Sequence, residues 1–159
     1  MELPPLDGRG FLPAGLYKAN RKEISNAFCT NRHRTHLWNS FLEFLSDVYN
    51  DVPSSKYPGI TVNTTIVLSG SFFTDKLYPD DVDILFIIDS NNAADNWFWS
   101  AHLSVYNERI KAQYRVDFNI ELPTGNDFLG FFSYIGPKSA EAKKLNPKEL
   151  RGVIQFQNG

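Results

Sequence analysis

The chain has 159 residues, 42% hydrophobic, 14% aromatic and 21% charged, with a formal net charge of −2. That length fits one domain spanning 1–159, able to bury about two thirds of the surface its unfolded form exposes, and the aromatic share excludes a disordered chain. Near-neutral charge excludes a dominant attraction to nucleic acid, leaving room for a local basic patch, and the lone Cys29 excludes an intrachain disulfide framework.

Cys29 suits a reducing cytosol and reads as a small core residue rather than a nucleophile. No stretch approaches the roughly 18 apolar residues of a membrane span, and no charged-then-apolar leader opens the chain. The expectation is a cytoplasmic protein with no membrane segment.

In chain order, Pro4, Pro5, Gly8, Gly10, Pro13 and Gly15 exclude a long helix over 1–19. They predict an irregular N-terminal arm, with Leu12, Leu16 and Tyr17 as candidate anchors. Asn20 and Glu23 have capping-box spacing and open a short helix over about 21–28. A longer helix follows over 31–49, where Leu37, Phe41, Phe44, Leu45 and Val48 recur at three- and four-residue steps and form a buried stripe. Residues 53–59 read as a loop.

Thr64 to Leu68 alternates as a strand ending at Ser69-Gly70, and Ser71 to Asp75 fits one helical turn. Asp81 to Ile88 is a strand, so apolar from Ile84 onward that it reads as central and buried on both faces. Residues 90–95 are turn-rich, and Asp95 is placed to cap a helix over about 96–112. Arg115 to Leu122 alternates again, with Val116, Phe118 and Ile120 on one face and Asp117, Asn119 and Glu121 on the other. Residues 128–135 read as a short aromatic helix and Gly152 to Gln157 as a last edge strand. The fold class is α/β or α+β, a small mixed sheet with helices packed mainly on one face.

Chemistry concentrates in two places. Asp81 and Asp83 stand two apart on a strand and so share a face, roughly 6.5–7 Å apart along the chain. If the strand at 115–122 pairs alongside, Asp117 stands opposite them at about 5 Å between Cβ atoms. Three convergent carboxylates repel one another, and Mg²⁺ (or Mn²⁺) with its preference for hard oxygen ligands relieves that repulsion. Separated from Asp81 by nine residues, Gly70-Ser71 lets the backbone approach a ligand closely and aims free N–H groups at phosphate.

This arrangement resembles the nucleotidyltransferase superfamily that includes DNA polymerase beta, terminal transferases, aminoglycoside adenylyltransferases and small antitoxin-type transferases. The matching elements are Leu68-Ser69-Gly70-Ser71, then Asp81-Val82-Asp83, then Arg115-Val116-Asp117-Phe118. The wider chain is also similar to a less characterised family of short bacterial proteins with this core. That likeness runs through the arm from Leu6 to Gly15, the stretch from Gly70 to Lys76 and the ending from Leu150 to Ile154. The resemblance implies a nucleotidyltransferase fold over most of the chain, with Asp81, Asp83 and Asp117 as catalytic and metal-binding residues and an NTP as substrate. Many small transferases carry an Arg shortly after Gly-Ser, where this chain has Phe72, Phe73 and Thr74. Lys76 is the candidate replacement.

Other features have plainer readings. His33 and His36 lie on an exposed helix surface, and Lys22, Arg32 and Arg34 form a modest basic cluster on a solvated face, open to an acidic partner or RNA. Lys138, Lys143, Lys144, Lys148 and Arg151 make the C-terminal region basic, and Arg151 is the candidate nucleotide contact there. Trp97 and Trp99 flank Phe98 and cannot all face one core, so one belongs at a partner interface or under the arm. A dimer would cover such aromatic residues.

The expected activity is Mg²⁺-dependent transfer of a nucleoside monophosphate from an NTP to a hydroxyl of a protein, RNA or small molecule. The alternative is a non-catalytic nucleotide- or partner-binding domain of this fold, as in a toxin–antitoxin or phage-defence pair. A metal-dependent nuclease fits less well, because the acid-x-lysine pairing is missing around Asp117 and Glu121.

Overall fold

The computed structural model describes residues 3–51, 64–88, 97, 106–121, 130 and 133–157. Asn20 and Glu23 cap reciprocally: the Glu23 N–H donates to Asn20 Oδ1 at 2.9 Å and the Asn20 N–H to Glu23 Oε1 at 3.1 Å. Helix α1 therefore starts at once, spanning Arg21–Phe28. Helix α2 covers Arg32–Asp51, and its stripe of Leu37, Phe41, Phe44, Leu45 and Val48 is buried as the periodicity predicts. Trp38 joins it, stacking on Phe41 at 4.9 Å and Phe156 at 5.8 Å. Each such side chain taken out of water contributes about 1.5–3 kcal/mol, and the ring pairs add roughly 0.5–1.5 kcal/mol.

The strands form a five-stranded mixed sheet. In chain order they are β1 (Gly15–Asn20), β2 (Thr64–Ser69), β3 (Val82–Ile88), β4 (Val116–Glu121) and β5 (Gly152–Gln157). Their spatial order is β1-β5-β2-β3-β4, with β1–β5 and β3–β4 parallel and the other pairs antiparallel. Two helices complete the described elements, α3 (Asn107–Tyr114) and α4 (Gly136–Lys143). The fold is mixed α and β, as expected.

Two expectations are corrected. The arm is not irregular to residue 19: Gly15–Asn20 pairs along its length with β5, from Gly15↔Gly152 to Asn20↔Gln157. Nor is β5 an edge strand, because β1 covers one side of it and β2 the other. The cause is one contact of high sequence separation, which the local pattern does not carry. Tyr17 and Ala19 alternate inward, but Leu16 stays half exposed. The Tyr17 hydroxyl donates to Pro13 O at 2.8 Å, and the Gly152 N–H donates to Leu12 O at 2.8 Å. Helix α4 was not expected; it packs Ala140 against Phe11 and Ile135.

The sheet has two unlike faces. Ile66, Leu68, Ile84, Phe86, Phe118 and Ile154 join the core shared with α1, α2 and Ile110 of α3. The residues between them, Val67, Leu85, Ile87 and Val153, cluster on the opposite face. Asp83, Asp117 and Asn119 alternate onto that second face. The predicted loops at 53–59 and 90–95, Phe98, Trp99, the first part of the helix at 96–112 and half of the stretch 128–135 lie outside the described residues. The aromatic helix expected to run to Ile135 does not reach it: residues 133–135 are not helical, and Tyr134 bridges to Leu150. Trp97 is about half exposed. Among the described residues no helix is long and apolar enough to cross a membrane.

Candidate metal and phosphate site

At the end of β2 the chain must leave the sheet and return one strand over. Gly70 makes the bend at φ 87°, a left-handed conformation that an L side chain adopts only under strain. A Cβ at this position would also overlap the Asp83 carboxylate, so the glycine is required twice. A 3₁₀ turn follows at Ser71–Phe73, closed by the Phe73 N–H on Gly70 O at 3.2 Å and by the Thr74 hydroxyl on Ser71 O at 2.6 Å. Phe72 and Phe73 are wholly buried and anchor the turn; Phe73 meets Phe28 edge-on at 5.1 Å.

Arg34 fixes this turn from below. It is 3% exposed, against the expectation of a solvated basic cluster. Its Nη1 donates to Phe28 O at 3.3 Å and Phe72 O at 2.5 Å, and its Nη2 to Thr74 O at 2.8 Å and to Lys76 O. Position 34 extends the stripe of Leu37, Phe41 and Phe44 by one turn, so helical spacing carried the signal that charge concealed. His33, expected on an exposed surface, is half-buried, with Nε2 2.5 Å from Pro79 O and its ring edge-on to Tyr78. Together with Asn31, which donates to Leu77 O at 2.8 Å, it ties the loop between turn and acids to the start of α2.

The acids gather beside the turn. Asp83 sits opposite Ser69 of β2 on one side and Asp117 of β4 on the other. Asp81 immediately precedes β3, whose first N–H, that of Val82, donates to Arg115 O at 3.0 Å. Carboxylate oxygens of Asp81, Asp83 and Asp117 all lie within 4.8 Å of one another, and each residue is half-buried. Burial, then the charges of Asp81 and Asp117, push Asp83 up to about 7, with Arg151 pulling the other way. Burial and Asp117 likewise raise Asp81, which accepts a hydrogen bond from the Asp83 carboxyl. Ionising Asp81 and Asp83 together beside Asp117 is costly, and a compensating cation lowers that cost. Its three hard oxygen donors fit Mg²⁺ or Mn²⁺, which take carboxylates and keep positions open for phosphate and water.

The three acids and Gly70-Ser71 thus come together. Lys76 is half exposed, and its ammonium lies 4.0 Å from Asp80. Arg151 is 3% exposed and lies under the turn, donating from Nη2 to Phe73 O at 3.3 Å with its guanidinium 5.1 Å from the Phe11 ring. Burial pulls it down to about 10. In this position it supports the turn and faces Asp83 electrostatically. One residue escaped sequence reasoning: Lys111 of α3 places Nζ 3.5 Å from Asp117 Oδ2.

Residues 4–156 match the model of a family of unknown function, DUF6932. The chain belongs to that family. Neither a curated protein nor a solved structure matches it. The DUF6932 span includes every residue of the site, and also the arm, where Phe11 bridges to Thr74.

Proposed function

We propose that this chain is a nucleotidyltransferase, moving a nucleoside monophosphate from an NTP to a hydroxyl acceptor with Mg²⁺ or Mn²⁺ as cofactor. The observation that carries the reading is the register of Asp83 between Ser69 and Asp117, which sets three carboxylates within 4.8 Å of one another beside the Gly70 bend. Asp81, Asp83 and Asp117 would hold the metal. When bound, it neutralises phosphate charge and activates the attacking hydroxyl. Gly70, without a side chain, lets phosphate oxygens approach the backbone, and the Ser71 hydroxyl and free N–H groups donate to them. Asp117, at the outer edge of the trio on β4, is placed to accept the acceptor's proton. Protein, RNA and small-molecule hydroxyls all suit this chemistry. The cytosol would supply nucleotide and Mg²⁺ and keep Cys29 reduced.

A second reading is favoured by a specific feature: Phe72 and Phe73 fill the core where a phosphate-binding cation would follow Gly-Ser, and Lys76 faces Asp80. The domain would then bind nucleotide or a partner protein without turnover, as in a toxin–antitoxin or phage-defence pair. Incubation with α-labelled NTPs and Mg²⁺ or Mn²⁺ separates the two. Label transfer to an acceptor that falls at least about a hundredfold in Asp81→Ala/Asp83→Ala supports catalysis. Saturable nucleotide binding without label transfer supports the second reading, and label transfer indifferent to the acids removes the first.

A further inference from the structure

Lys111 belongs to α3 but answers to β4. Arg115 caps the helix in a left-handed conformation, φ 55°, with its N–H on Lys111 O at 3.0 Å, so the chain doubles back into the strand within one residue. Ile110 is buried and the Tyr114 ring meets Phe44 at 5.5 Å in a tilted contact, which fixes the helix against the core. Because β4 is an edge strand among the described strands, the neighbouring Lys111 reaches the acid-bearing side, where Nζ stands 3.5 Å from Asp117 Oδ2. Asp117 is its direct partner, and the carboxylate oxygens of Asp81 and Asp83 lie within 4.8 Å of that of Asp117. Among the described residues Lys111 is the cation paired with the trio at this distance.

We propose that Lys111 is the trio's built-in counter-ion, and that its ammonium and a divalent metal are alternative occupants of the Asp117 side of the site. The inference rests on the metal-binding reading above and adds a positioning residue to it. Without metal, Lys111 offsets part of the mutual repulsion of the acids and holds Asp117 in register with Asp83. A divalent ion entering the trio meets a positive charge at hydrogen-bonding distance from one of its ligands, so it must displace the ammonium from Asp117. Metal alone therefore binds more weakly than three convergent carboxylates would allow. The displaced ammonium, half exposed at the rim, is then free for an anionic group of the substrate.

The test is Mn²⁺ binding to the full chain by titration calorimetry at pH 7.5 and low ionic strength, without nucleotide. It compares wild type with Lys111→Met, Lys111→Arg and Asp83→Asn. Lys111→Met should bind Mn²⁺ roughly three- to tenfold more tightly than wild type, and Lys111→Arg within about twofold of it. A wild type too weak to measure beside a measurable Lys111→Met also supports the exchange. Equal or weaker binding by Lys111→Met overturns it, as does a gain in Lys111→Arg matching that in Lys111→Met, since the charge would then not be the cause. Absence of Mn²⁺ binding in wild type and Lys111→Met alike overturns both this inference and the metal reading. Binding lost in Asp83→Asn but unchanged in Lys111→Met overturns the inference alone. Thermal melts confirm folding, which a half-exposed side chain should not govern.

Discussion

Two charged clusters flank the turn at residues 70–76, and they are built on opposite rules. On the arm side, charges alternate. Arg9 joins Asp7 at 2.8 Å and Glu149 at 3.4 Å, and Lys143 joins Asp75 at 2.7 Å. Arg9, Lys143 and Arg151 surround the buried Phe11 ring at 5.6, 5.2 and 5.1 Å. On the β3–β4 side, Asp81, Asp83 and Asp117 crowd together against Lys111. The first cluster is complete as it stands and serves to hold chain ends that lie far apart in sequence. The second gathers like charges that repel one another, the feature on which the proposed metal site rests. Gly10 and Gly70 mirror this contrast. Both have positive φ, and each lets a carboxylate close in, Asp75 against Gly10 and Asp83 against Gly70. Only the first of those carboxylates has a lysine on it.

Arg34 is the joint between the clusters, since its carbonyl partners run from Phe28 through the whole turn to Lys76. Removing it should have the largest effect on stability. Arg34→Met leaves buried carbonyl oxygens without donors, and each costs about 1–3 kcal/mol before relaxation. The expected loss is roughly 3 kcal/mol or more by chemical denaturation, with the proposed nucleotide binding lost in parallel. A loss under about 1 kcal/mol would mean that the turn holds its shape without a buried cation, and the contrast between the clusters would lose its hinge.

The clusters also respond to pH with opposite signs. Against the upward push of its burial, hydrogen bonds from the Arg9 side chain and backbone hold Asp7 below the usual carboxylate range. Its contribution is present above the unfolded value near 3.8 and is lost as pH falls through the lower folded value. Asp83 is the reverse. Raised to about 7, it binds a proton in the native state that the unfolded chain has already released. Without metal, its effect on stability is greatest in acid and declines as pH rises from about 4 to 7. Asp83→Asn should remove that slope and stabilise the metal-free protein at pH 8 by an order of 2 kcal/mol. Melts of the two proteins from pH 5 to 8, in chelator, check it; parallel curves would show that Asp83 ionises freely. Metal affinity of the wild type should rise through the same interval.

What was legible in the sequence was whatever a single element could encode. The stripe of α2, the Asn20–Glu23 cap and the alternation of β4 are local patterns, and the pairing of Asp83 with Asp117 followed once two strands were placed side by side. The parallel union of β1 with β5 was not legible, because it joins residues more than 130 positions apart through backbone bonds that favour no particular side chain. Arg34 hid behind its charge, and Arg151, read as a nucleotide contact among five C-terminal cations, is instead carried under the turn once β5 is an interior strand. Lys111 depends on how sharply α3 reverses into β4, a matter of the left-handed Arg115 rather than of spacing.

The smallest effect makes the strictest test of whether the clusters are independent. Lys143 makes a partly exposed pair with Asp75, and its Nζ also donates to Arg9 O at 2.6 Å. Lys143→Met removes both contacts, yet the methionine stem can still lie on Phe11, so the loss should be only about 0.5–1 kcal/mol and should shrink in high salt. Asp75 would then stand against Gly10 without its lysine, a lone surface carboxylate rather than a convergent set. Mn²⁺ affinity should therefore remain within about twofold of wild type, in contrast to Lys111→Met. If Lys143→Met instead tightened Mn²⁺ binding as strongly as Lys111→Met, the lysines would act through the general field of the molecule. The distinction between a clamp of alternating charges and a site of crowded like charges would then give way to a single pool of charge around the turn.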